Sequence, residues 1–90
     1  MYCALLYEYG PDAVERRKPH REAHLALVRT LHAEGRIVLA GAFDPVDGAL
    51  LVFKVDGPSE VEDFVKADPY VQNGLVTRWR IRPWTVVVGG

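Results

Sequence analysis

A four-stranded antiparallel sheet with two helices on one face, in the order β-α-β-β-α-β, is the fold class the sequence predicts. Three observations predict it. Four runs rich in aliphatic and aromatic residues are interleaved with two stretches of helical periodicity in that order. The middle two runs are separated by Asp44-Pro45-Val46-Asp47-Gly48, a turn composition that makes them a hairpin. Ninety residues suffice for one domain, spanning 1–90, and leave none for extra elements. This is the ferredoxin-like split βαβ arrangement, an α+β fold.

Each element has a local reason. Tyr2 to Tyr9 reads as a strand closed by Gly10-Pro11. Asp12 is the expected N-cap of the first helical stretch, with Glu15 as its capping-box partner. From Ala13 to about Glu34 the pattern is helical, and Gly35 supplies the stop. Pro19 interrupts it, so the continuous helix is expected to begin near Lys18 or Pro19, since proline suits a first turn. Arg36 to Phe43 and Ala49 to Val55 form the hairpin strands. Ser59, with Glu62 three residues on, is the expected cap of a second helix running to about Ala67. Asp68-Pro69 restarts a short turn or helix that ends at Gly74. Leu75 to Val88 is the last strand, bent at Pro83.

Composition excludes several function classes. Eleven basic residues against twelve acidic ones leave no positive excess, so nucleic acid is not an expected partner. No apolar run approaches the ~20 residues that span a bilayer, so a membrane is not one either. The first six residues lack the basic and small-residue signals of a leader. A single cysteine, Cys3, fits a reducing, cytoplasmic setting and is expected in the core. The strands themselves point to assembly. Ile37 to Ala40, Ala49 to Phe53 and Val86 to Val88 are apolar at every position, whereas a half-exposed sheet alternates. Two helices cover one face only, so the other is expected to pack against a second copy, making a homodimer or larger homo-oligomer.

Chemistry concentrates on the long helix. At about 100° per residue, His24 falls on the apolar stripe with Leu27, Val28 and Leu31, and a buried imidazole needs partners for two nitrogens. Three readings stand. His24 is a core histidine bonded to backbone; or it forms a metal pair with His20 at i, i+4; or it is an acid–base group oriented by a carboxylate, its ordinary pKa of ~6.5 suiting proton transfer. The metal reading lacks the His-Glu-x-x-His order of zinc proteases, because Glu22 stands on the far face. The candidate carboxylate is Asp68, which is also well placed to cap the turn at Pro69. Arg17 and Arg21 are candidates for holding an anionic or carbonyl-bearing small molecule, and Tyr7, Tyr9 and Tyr70 for lining a cleft. His32, Glu34 and Arg36 read as solvated helix-end residues.

Ala23-His24-Leu25, Leu31-His32-Ala33-Glu34-Gly35-Arg36, Ala40-Gly41 and Ala67-Asp68-Pro69-Tyr70-Val71 with Gly74 occur in the order seen in the YCII-related (YciI-like) family. The chain resembles that family over nearly its whole length. The resemblance implies a ferredoxin-like fold that dimerises through its sheets, as in the dimeric α/β barrel group. It also implies an active site on a His–Asp pair, which maps onto His24 and Asp68; Arg17, Arg21 and Tyr70 are the expected substrate contacts from their own positions. The activity expected of His24 on its apolar stripe is proton transfer or elimination on a small cyclic or carbonyl compound, with no metal or organic cofactor. A few YciI-like proteins act in the breakdown of chlorinated aromatics, including a dehydrochlorination. The alternative is a non-catalytic dimeric ligand-binding or structural module, in which His24 and Asp68 only hold the helices together. One departure stands out. Gly41-Ala42-Phe43 runs into a short turn where many members have Gly-Pro and a long loop, which implies a different ligand or a wider pocket.

Overall fold

The computed structural model describes residues 1–90. Strand β1 (Tyr2–Tyr9) leads through a short helix α1 (Ala13–Arg16) and a 3₁₀ turn (Lys18–His20) into the long helix α2 (Arg21–Ala33). The hairpin β2 (Ile37–Ala42) and β3 (Gly48–Lys54) comes next, then α3 (Pro58–Ala67), the short α4 (Pro69–Gln72) and β4 (Val76–Trp84). All strand pairs are antiparallel, in the order β2-β3-β1-β4. The predicted ferredoxin-like architecture is therefore the observed one, with two additional short helices at its corners.

Alternation along β1 sets the layers. Cys3, Leu5 and Tyr7 are buried toward the helices, while Ala4 and Leu6 face the open side. Across from β1, Leu51 and Phe53 of β3 join the core, where Val28 and Leu31 of α2 and Val61, Phe64 and Val65 of α3 meet them. Phe53 and Phe64 pack edge to face at 5.3 Å, a favoured aromatic geometry. Cys3 is fully enclosed, as expected, and burial pushes its thiol pKa up.

Several local expectations are corrected. The long helix starts at Arg21, because Pro19 is accommodated in the 3₁₀ turn and not in the first α-turn. His20 closes that turn and so does not share α2 with His24. Asp12 makes no capping bond: its backbone is left-handed (φ 59°), a region aspartate tolerates better than most residues. Ser59 lies inside α3, whose cap position is Gly57; Glu60 Oε2 instead reaches back to accept from the Asp56 N–H at 2.7 Å. The last strand stops at Trp84, four residues before Val88. Trp84 pairs with Tyr2, where β1 itself begins, so Val86 to Val88 have no strand to bond to.

Helix ends also tie the layers together. Gly35 takes a left-handed φ of 78° after α2, and the Arg36 N–H bonds the Leu31 carbonyl at 2.9 Å. His32 is not merely solvated: its Nδ1–H donates to the Ile37 carbonyl at 2.8 Å, anchoring the end of α2 to β2. Arg36 is likewise engaged, with Glu34 and with Glu60 of α3, each at 3.3 Å. No helix is long and apolar enough to cross a membrane.

Candidate active site

Asp68 is the organising residue. It stands at the break between α3 and α4, with extended backbone (φ −73°, ψ 120°) enforced by the proline after it. That break turns its side chain into the protein, where it has no solvent exposure at all. Its carboxylate accepts three hydrogen bonds from three parts of the chain. Oδ1 accepts from the Tyr70 N–H at 3.0 Å, capping α4 as expected, and from His24 Nδ1 at 2.7 Å. Oδ2 accepts from the Tyr7 hydroxyl at 2.8 Å. Capping and pairing thus coexist on one carboxylate.

The consequence for His24 is a defined tautomer. A carboxylate is acceptor-only, so Nδ1 carries the proton and neutral imidazole has its lone pair on Nε2. Nε2 makes no bond within the protein, and it is not among the enclosed unpaired atoms, where only Arg36 Nε stands. It therefore opens outward, although His24 as a whole is only 8% exposed. The imidazole plane is fixed by Tyr70, whose ring stacks on it at 3.8 Å and 5°. Tyr9 meets Tyr70 edge-on at 6.1 Å and 89°.

Nε2 opens into a cleft of about 190 Å³ between α2 and the β2–β3 hairpin. Arg17, Arg21, Tyr9 and Tyr70 form its polar wall; Ala40, Ala42, Ala49 and Leu51 belong to the sheet side. The structure thus brings all five predicted site residues together: His24, Arg17, Arg21 and Tyr70 line the cleft, and Asp68 lies behind His24. A register shift between Ile37 and Leu39 makes the cleft possible. Ile37 and Leu39 would otherwise share a face; the bulge turns Leu39 outward and leaves Ala40 and Ala42 on the cleft side, opposite Leu51 and Ala49.

Tyr7 is legible in the sequence only as a cleft-lining candidate, and its bond to Asp68 is not. The signal is its place on the inward face of β1 with a hydroxyl that burial obliges to find a partner. Burial, then the neighbouring Asp68 charge, raises its pKa far above the usual phenol value. Tyr9 is pushed up to about 12 by burial, with Tyr70 and Asp68 adding to the effect and Arg17 and Arg21 opposing it. Burial raises Tyr70 as well.

These phenols are neutral in the folded protein at pH values where the unfolded chain ionises. The unfolded state then binds fewer protons, so stability falls as pH rises. The stabilisation is complete below pH ~10, the ordinary tyrosine value, and is lost upward from there toward pH 12. Tyrosinate absorbance and circular dichroism followed together are expected to show ionisation coupled to unfolding. Tyr7→Phe is expected to flatten the alkaline limb; unchanged pH dependence in that variant would refute the coupling.

Comparison with known proteins agrees with this architecture. The model of the YCII-related domain matches residues 1–85. Protein YciI of Escherichia coli O6:H1 is 30% identical over 86 residues, which cover 84% of this chain and 88% of that one. An uncharacterized protein of Haemophilus influenzae is 27% identical over 97 residues, covering 97% and 99% of the two chains. Among solved structures, the 5-chloro-2-hydroxyhydroquinone dehydrochlorinase TftG of Burkholderia phenoliruptrix AC1100, in complex with 2,5-dihydroxybenzoquinone, matches with a TM-score of 0.82. It is 24% identical, over 94% of each chain, a likeness of fold. With a domain match spanning nearly its entire length, this chain belongs to the YCII-related domain family.

Proposed function

We propose that the cleft is the active site of an acid–base catalyst acting on a small cyclic or carbonyl compound. One observation carries this: a buried imidazole bonded through Nδ1 to Asp68 at 2.7 Å, with Nε2 free toward a cleft. Nε2 removes a proton from the substrate, and Asp68 stabilises the resulting imidazolium. The electron pair left behind forms an enolate that is reprotonated elsewhere, or expels a leaving group such as chloride. Elimination of chloride is the activity named for TftG, whose fold is shared. The test is proton exchange. The protein is incubated in deuterium oxide with a panel of cyclic ketones, single-ring carboxylic acids and chlorinated hydroquinones, among them 5-chloro-2-hydroxyhydroquinone, and deuterium uptake and chloride release are measured. Turnover that His24→Asn removes supports the reading. Absence of turnover across the panel, or turnover that His24→Asn retains, ends it.

A non-catalytic role has one observation in its favour: Asp68 joins Tyr7, His24 and α4, and so also holds the fold together. That role alone gives Nε2 no reason to reach the cleft.

We further propose that the open sheet face joins two copies of the chain. Leu39 (68% exposed) and Trp84 (51%) lie on it with Ala4, Leu6 and Leu50, while Arg78, Arg80 and Arg82 line its β4 side. A depression of about 420 Å³ lies on this face between Leu6, Phe43 and Arg80, and His24 does not line it. It suits side chains of a second sheet better than chemistry. Light scattering is expected to give at least twice the chain mass, and Leu39→Glu to give single chains, since a charge there faces a desolvated partner. A single-chain mass for the unaltered protein would overturn the proposal.

A further inference from the structure

The ion pairs of the chain are Lys18 with Glu15, His24 with Asp68, Arg36 with Glu34 and Glu60, and Arg78 with Glu8. Arg17 and Arg21 take part in none of them. The nearby Glu15 is engaged by Lys18 at 2.9 Å, and no carboxylate lies within 4.0 Å of either guanidinium. Other arginines without a carboxylate partner exist on the surface, but these two alone line the cleft into which His24 opens. The hydroxyls of Tyr9 and Tyr70 share their wall and make no hydrogen bond within the protein. Two cations and two phenol donors therefore converge on one side, with no carboxylate of the chain paired to either guanidinium. The opposite side is alanine and leucine.

That polarity decides between an anionic ligand and a neutral carbonyl compound. A neutral carbonyl uses one or two donors and leaves the second guanidinium without an anionic partner in the cleft. A carboxylate accepts up to four hydrogen bonds and matches the planar fork of a guanidinium. Size narrows the class further. At about 190 Å³ the cleft is smaller than the ~300 Å³ at which pockets for drug-sized ligands begin. We infer that the substrate is a small, single-ring carboxylate, gripped by Arg17 and Arg21, with its apolar body against Ala40, Ala42 and Leu51. This rests on the acid–base reading for the role of His24, but the grip itself does not require catalysis.

Benzoate, benzamide and inorganic phosphate serve as probes, with binding followed by the ring resonances of His24, Tyr9 and Tyr70. Benzoate is expected to bind at least ~10-fold tighter than its uncharged isostere benzamide, as charge-assisted bonds exceed neutral ones. Arg17→Gln/Arg21→Gln is expected to abolish that preference, and Arg17→Lys/Arg21→Lys to retain part of it. Phosphate is expected to bind more weakly than benzoate, because it has no apolar body for the alanine side. Equal affinity for benzoate and benzamide, or phosphate binding as tight as benzoate, would overturn the assignment. Both comparisons use the unaltered protein, so they hold even if the double variant fails to fold. Benzoate binding in a protein whose turnover survives His24→Asn would remove the acid–base reading and keep the grip. His24-dependent turnover without a benzoate preference would do the reverse.

Discussion

Replacing Asp68 by alanine is expected to destabilise the fold by about 3–5 kcal/mol, the range seen when one partner of a buried charged pair is removed. The carboxylate is fully enclosed and is the acceptor for three donors: Tyr7 Oη, His24 Nδ1 and the Tyr70 N–H. Alanine leaves all three without a partner in space too small for full rehydration. Each unsatisfied buried donor costs roughly 1–3 kcal/mol, and partial relaxation keeps the total below their sum. A domain of this size is stable by only about 5–15 kcal/mol, so much of its margin would go. Asp68→Asn keeps the shape and one acceptor oxygen, and its cost is expected near 1–2 kcal/mol. Urea denaturation at pH 7, with unchanged m-values, measures both. A loss under ~1 kcal/mol in Asp68→Ala would mean that the three donors find other partners and that the carboxylate is not structural.

His24→Asn is expected to reduce turnover at least ~100-fold on any substrate the exchange screen identifies, with little change in stability. Asparagine is the informative replacement because its amide can still donate to Asp68, which keeps the buried carboxylate paired. What it lacks is a basic nitrogen facing the cleft. The companion variant Asp68→Asn preserves His24 but removes the charge that fixes the proton on Nδ1. It is expected to impair turnover while His24 stays in place, because the asparagine amide can present its N–H and turn the tautomer around. Initial rates of each variant against the unaltered protein, with urea denaturation beside them, measure both effects. A reduction below threefold in His24→Asn would remove the imidazole from the chemistry.

Much of this molecule arises from local pattern. Strand β1 is legible to the residue because Gly10-Pro11 stops it and aromatic and aliphatic residues fill it. Gly35 ends α2 and Asp68 caps α4 as expected, since both signals act over a few residues. His24 is conspicuous as an imidazole on an apolar stripe. The positions where expectation fails are those where a local signal has a tertiary competitor. Asp12 stands at the cap position of α1, but its left-handed backbone makes no capping bond, and Ser59 lies inside α3, whose cap position is Gly57. Val86 to Val88 have strand propensity but no neighbouring strand.

Local pattern alone settled the element order, the apolar excess of the strand runs and the identity of the one histidine that required explanation. Only the tertiary structure decided what that histidine meets. Asp68 lies 44 residues from His24 and 61 from Tyr7, and no periodicity reaches that far. The same holds for the bulge beside Leu39, which aims that side chain at the open face and leaves alanines on the cleft side. The physical reason is range. Propensity and capping depend on neighbours within a turn or two, whereas a buried polar atom bonds to whichever group packing brings within about 3 Å.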